Sequence, residues 1–112
     1  MGFGFYGRSF QLSSASCSAP GCSFKGGASP GPCSASSGIL LYYEIMALLK
    51  ANPSLNPVWD HAAAVKYLVF NGDQWVSYDD SDTFQQKIAW ANSFGIGGSM
   101  IWAADTGKII PV

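Results

Sequence analysis

Few side chains in this chain are able to do chemistry. The acids are Glu44, Asp60, Asp73, Asp79, Asp80, Asp82 and Asp105; the only histidine is His61; the cysteines are Cys17, Cys22 and Cys33. Asp79 and Asp80 are adjacent, which invites a paired-carboxylate reading for general acid–base work. Adjacent acids just before a helix more commonly cap it, because carboxylates suit the positive helix start. His61 sits in the cluster Trp59-Asp60-His61 with no neighbouring nucleophile, so it reads as an exposed or satisfied histidine rather than a base. The cysteines have no Cys-x-x-Cys spacing and His61 is far from them in sequence, so no metal site and no cofactor are expected.

The remaining candidates are groups that bind rather than react. Trp102 lies in Gly97-Gly98-Ser99-Met100-Ile101-Trp102-Ala103-Ala104-Asp105, an apolar run that starts on paired glycines. Such a run reads as a strand buried on both faces. Parallel sheets bind ligands at the C-terminal ends of their strands, so Trp102 is either a flat platform there or ordinary core bulk. Glu44 follows Tyr42 and Tyr43, an acid among aromatics that suits hydrogen bonding to a sugar; the alternative is a solvent-facing glutamate. Arg8 is the one charge in an apolar strand and must leave its end or meet an acid.

The elements that position these residues fit one small domain of 112 residues. A net charge of −1 gives no reason to expect nucleic acid or an anionic membrane as partner. No apolar run approaches the roughly 20 residues of a membrane helix. The start, Met1 to Arg8, lacks the basic and apolar segments of a secretion signal and already reads as domain interior. Phe3 to Leu12 is a strand thinned by glycines. Ser13 to Ser37 is a Ser-, Gly- and Pro-rich loop holding all three cysteines. A disulfide is the usual remedy for such a loop and favours an oxidising setting. The odd count leaves one cysteine free, and the sequence leaves the pairing open; Cys22–Cys33 is a candidate disulfide, with no partner assigned to Cys17.

Gly38 to Lys50 is expected to be a helix, with Ile39, Leu40, Tyr43, Met46 and Leu49 near helical spacing and Asn52-Pro53 as its stop. Val58 to Ala64 reads as extended or irregular. Two β-rich runs, 65–70 and 74–78, flank Asn71-Gly72, a strong hairpin signal, with Trp75 and Tyr78 expected on its apolar face. Asp82 and Gln85 approximate a capping box for a second helix. Phe84, Ile88 and Ala91 line one side of it, and Gly95 is placed to end it in the left-handed conformation. That helix and the strand after it form one αβ unit, too little to close a parallel sheet, so partner strands are expected outside this chain.

Taken together, these runs resemble family 18 glycoside hydrolases, the chitinases. Phe5-Tyr6-Gly7-Arg8-Ser9-Phe10 is similar to that family's seventh barrel strand. Pro30-Gly31-Pro32 with Gly38-Ile39-Leu40-Leu41-Tyr42-Tyr43-Glu44-Ile45 resembles its α+β insertion. Gln74-Trp75-Val76-Ser77-Tyr78-Asp79-Asp80 resembles the strand leaving that insertion, and the Gly97–Asp105 run the eighth strand. The loop with Cys17-Ser18-Ala19-Pro20-Gly21-Cys22 is most similar to secreted fungal members akin to killer-toxin subunits.

The resemblance implies an α/β chain: a partial (β/α)₈ TIM barrel (last two strands and last helix) with an α+β chitinase insertion subdomain. Residues 1–112 would be the C-terminal part of one catalytic domain. Strand seven would be 1–12, the cysteine loop and insertion 13–80, the barrel helix 81–95 and strand eight 96–105. The family's reaction is a substrate-assisted, retaining hydrolysis of β-1,4-linked N-acetylglucosamine, outside the two-carboxylate scheme. Its proton donor lies in an Asp-x-x-Asp-x-Asp-x-Glu motif that this sequence lacks, so no catalytic residue is expected here and the isolated chain is expected to be inactive. The resemblance makes Trp102 the platform for the reacting sugar and Met100 a pocket wall. Tyr6, Arg8 and Glu44 become further contacts to chitin or chito-oligosaccharides. The parent protein is expected to be secreted. The alternatives are a non-catalytic, lectin-like chitin binder or a gene-model remnant.

Overall fold

The fold was analysed in a computed structural model, which describes residues 1–103. Ala104, Asp105 and the tail 106–112 lie outside the described residues. Among the described residues eight strands form two sheets, accompanied by two helices.

The first strand is split. β1 (Gly2–Gly4) and β2 (Tyr6–Leu12) are separated at Phe5, where the expected single strand changes sheets. Phe5 bridges the two: its N–H donates to the Trp102 carbonyl (2.8 Å) and its carbonyl accepts from Tyr42 N–H (2.9 Å). β1 pairs in parallel with β8 (Met100–Trp102), Gly2 opposite Met100 and Gly4 opposite Trp102. β2 belongs to a larger sheet. Along one edge it carries β3 (Phe24–Gly27) and β4 (Ile39–Leu41), and along the other β7 (Gln74–Tyr78), followed by β6 (Val65–Phe70) and β5 (Val58–Asp60). Every pairing in that sheet is antiparallel.

The helix expected from Gly38 begins later. Ile39-Leu40-Leu41 pairs with β2 instead, and α1 spans Tyr42–Ala51 with Leu41 as its extended N-cap. Three apolar residues gain more as a ladder against Tyr6–Arg8 than as a first helical turn, because the ladder satisfies their backbone groups and buries Leu40. α1 lies on one face of the sheet. There Leu40, Ile45, Leu68, Phe70, Val76 and Tyr78 form the core, flanked by Met46, Leu48, Leu49 and Leu55. Gly7 is required in this layer: a Cβ on it would come within 2.7 Å of Val76 Cγ2 and 2.8 Å of the Ser77 carbonyl oxygen.

The hairpin forms as expected, with Asn71 (φ 48°) and Gly72 (φ 81°) both left-handed, the conformation that favours Asn-Gly. Trp75 and Tyr78, however, do not share a face. Side chains alternate along a strand, so Tyr78 is buried under α1 while Trp75 stands on the opposite side with Tyr67. Asp80, not Asp82, caps the second helix α2 (Ser81–Ser93). Its carboxylate accepts from the N–H groups of Asp82 and Thr83, and its own N–H donates to Thr83 Oγ1 at 3.0 Å. The box is therefore Asp80/Thr83, because Asp82 already lies inside the first turn. Gly95 follows the helix at φ 68°, as expected.

α2 packs on β1 through Phe84, whose ring meets Phe3 edge-on at 5.3 Å and Phe5 at 5.6 Å. Ala91 is buried, but Ile88 of the expected face is 45% exposed. β8 is not the doubly buried strand expected: Met100, Ile101 and Trp102 are all exposed, because within the described residues β8 touches only β1 along one edge. Among the described residues no helix is long and apolar enough to cross a membrane.

Candidate functional site

Four of the five expected binding residues converge on one side of β1, β2 and β8. In the parallel ladder Met100 stands beside Gly2 and Trp102 beside Gly4, and alternation turns Met100 and Trp102 to the same face. Ile101 and Phe3 point the other way, Phe3 into the α2 contact. Gly2 and Gly4 keep this face low between the larger side chains. A Cβ at position 4 would meet the Tyr6 ring at 3.1 Å, so that ring lies over Gly4, next to Trp102. Arg8 follows two residues along β2, exposed, its guanidinium 5.4 Å from the centre of the Tyr6 ring. No ion pair of Arg8 occurs among the described residues. The face is thus an indole (Trp102, 65% exposed), a thioether, a phenol and a guanidinium around a glycine floor. The Gly-x-Gly alternation of β1 was the available sequence signal for that floor.

This arrangement can hold a flat ligand with apolar faces and polar edges. An indole or phenol ring offers apolar surface, and Arg8 offers up to five N–H donors. Among the described residues it holds no nucleophile and no paired carboxylates.

Glu44 is placed differently. It is 6% exposed, at the start of α1, with both carboxylate oxygens turned to backbone amides. Oε1 accepts from Leu41 N–H (2.8 Å); Oε2 accepts from Cys33 N–H (2.8 Å) and Ser34 N–H (3.2 Å). Burial pushes its pKa up, but these backbone bonds and one from the Ser34 side chain together hold it below the ordinary 4.5. The fit is close: a Cβ on Gly31 would collide with Glu44 Oε2. Glu44 therefore fastens the loop at 31–34 to the helix start, a task that the spacing from Cys33 to Glu44 did not reveal.

The other candidates are structural. Asp79 pairs with Lys87 at 2.6 Å, and Asp80 and Asp82 both bind Lys66, at 2.6 and 2.7 Å. His61 is exposed and stacks on Trp59 at 4.2 Å, while its carbonyl accepts from Gln86. The disulfide is Cys17–Cys22, not Cys22–Cys33; Cys33 is free and exposed. Cys17 and Cys22 each end a turn, their N–H groups donating to the carbonyls of Ser14 and Ala19, and their Cα atoms lie 5.8 Å apart, within disulfide range. Cys33 lies in the separate turn fastened by Glu44.

The comparisons with known proteins agree in direction. The profile described as glycosyl hydrolases family 18 matches residues 1–107. Mouse chitotriosidase-1 is 34% identical over 105 residues, 94% of this chain and 21% of that protein. The group IV chitinase of Ostrinia furnacalis, solved in complex with allosamidin, superposes with a TM-score of 0.89 at 39% identity, over 95% of this chain and 28% of that one. Human YKL-39, described as a pseudo-chitinase with retained chitooligosaccharide binding properties, gives 0.86 at 38% identity, again over 95% and 28%. This chain thus spans less than a third of each of these proteins.

Proposed function

The chain belongs to glycosyl hydrolases family 18, and from that premise we propose that it contributes the sugar-binding side of a chitinase cleft. Trp102 is the platform on which an N-acetylglucosamine ring rests, Met100 a wall beside it, and Tyr6 and Arg8 hydrogen-bonding contacts farther along the chain. The observation that carries this reading is the common face of these four residues over Gly2 and Gly4. Glu44 takes part by holding the 31–34 loop against α1.

In this reading β1 and residues 96–105 belong to the seventh and eighth strands of a (β/α)₈ barrel, the expected strand 1–12 being cut short at Phe5. Residues 6–80, with β2, are its α+β insertion and 81–95 its last helix. The parallel β1–β8 pair under α2 and the separate antiparallel sheet under α1 support that division. The parent activity is hydrolysis of β-1,4-linked N-acetylglucosamine by a secreted enzyme. The fungal affinity of the cysteine loop rests on its sequence alone; the relatives described above are animal proteins.

The Asp-x-x-Asp-x-Asp-x-Glu acid is absent from the chain, so it binds without cutting. A fluorogenic chitobioside assay on the purified chain is expected to stay at background, while chito-oligosaccharide binding is measurable and falls with Trp102→Ala. Turnover above background would place the acid within this chain and sink the division of labour. A lectin-like parent is the second reading, favoured by the likeness to the pseudo-chitinase YKL-39. Activity of the parent polypeptide separates the two: a chitinase hydrolyses the substrate, a lectin only retains it.

A further inference from the structure

We propose that the sheet face opposite α1 is a second sugar-binding surface, continuous with the first, taking units of an N-acetylglucosamine chain that run past Arg8. This rests on the reading of Trp102, Tyr6 and Arg8 as sugar contacts. Along β2, Gly7 and Ser9 are buried toward α1, so Tyr6, Arg8 and Phe10 stand together on the other face. The row continues across the sheet. Phe10 meets Trp75 at 6.0 Å and Phe24 at 4.7 Å, and Trp75 stacks on Tyr67 at 5.4 Å and 29°.

Aromatic rings ordinarily belong to a core, yet these lie on the side of the sheet that carries no helix among the described residues. Phe24 is 56% exposed. Trp75 is held in place: its indole N–H donates to the Ser18 carbonyl at 3.0 Å, within the loop that Cys17–Cys22 closes. That loop and the rings of Phe10, Phe24 and Trp75 border a cavity of about 310 Å³, whose other walls include Pro20 and Cys22.

The chemistry matches a pyranose chain. Ring C–H faces and acetamido methyl groups are apolar and pack on aromatic rings, while the hydroxyls stay hydrated. Phe10 lies about 13 Å along the strand from Tyr6, at roughly 3.3 Å per residue. A unit resting on Trp102 does not reach it; a longer chain does. The contribution therefore depends on ligand length.

The test is calorimetry on the whole chain with chitobiose and chitohexaose, on the unaltered protein and on Trp75→Ala and Phe24→Ala. The hexaose is expected to bind about tenfold more tightly than the biose. Trp75→Ala should remove most of that advantage and leave biose binding unchanged, with a smaller loss in Phe24→Ala. A folded Trp75→Ala protein that keeps the full advantage overturns the extension and leaves the Trp102 site standing. If Trp75→Ala does not fold, the solvent-exposed Phe24→Ala decides by the same ratio. Absence of biose binding to the unaltered chain defeats the proposed function, and the extension with it. A dimer that Trp75→Ala dissociates would give the face to a second copy of the chain instead.

Discussion

The two sheets of this chain differ in where they put their apolar residues. The antiparallel sheet and α1 enclose Leu40, Ile45, Leu68, Phe70, Val76 and Tyr78. The parallel pair β1–β8 exposes all three β8 side chains, and α2 beside it leaves Ile88, Trp90 and Phe94 open. The first region carries its own core. The second buries Phe3 and Ala91 and presents Met100 and Trp102 of the proposed sugar face. The core thus belongs to one face of the antiparallel sheet, while the proposed sugar face runs from the parallel pair past Phe5 onto the opposite side of β2.

Substitution of equivalent side chains in the two regions should break the symmetry most strongly. Ile45→Ala removes a fully buried side chain from the α1 layer and is expected to cost about 2–5 kcal/mol in urea unfolding. Ile101→Ala, at a position 51% exposed, should change stability by no more than about 0.5 kcal/mol. Equal losses at the two sites would remove the distinction.

Glu44 gives the next effect. Glu44→Gln keeps the shape but aims an amide N–H₂ or loses a charge at the Cys33 and Ser34 donors, so about 1–3 kcal/mol of stability should go. The pH dependence has a defined sign. A carboxyl whose folded pKa is lowered contributes stability above its ordinary 4.5 and loses it as pH falls through the folded value. The unaltered protein should therefore weaken on acidification below about 4.5, and the Gln variant should lose less over the same range. At the alkaline end, burial, with Asp80 adding to it, pushes the Tyr78 hydroxyl up to about 12. Its stabilising contribution is complete below the ordinary 10.0 and disappears between there and about 12. Tyr78→Phe should flatten that limb of the stability curve.

The smallest effect is expected at Ser9. Its hydroxyl is fully buried beside Val76 and has no hydrogen-bond partner among the described residues. Ser9→Ala removes an unsatisfied polar group and should leave the melting temperature unchanged or raise it slightly.

What the sequence disclosed depended on how local its cause was. Asn71-Gly72 dictated its own turn, and Gly95 its own helix end, because both need only a left-handed backbone. The capping residue was displaced by two positions because three aspartates compete within 79–82 and only the chain's entry angle selects Asp80. Trp75 and Tyr78 are three residues apart on one strand, and period-two alternation alone is enough to put them on opposite faces. The exposure of β8 and the inward turn of Glu44 were not legible at all. Each is set by what lies alongside in space: β1 alone for β8, and the 31–34 turn for Glu44.

The central claim is that Trp102 is a sugar platform, and one spectrum addresses it. The chain has four tryptophans, each with an indole N–H resonance. On titration with chitobiose the Trp102 signal should shift while those of Trp59 and Trp90 stay in place. An unmoved Trp102 signal, with sugar bound elsewhere or not at all, would contradict the account.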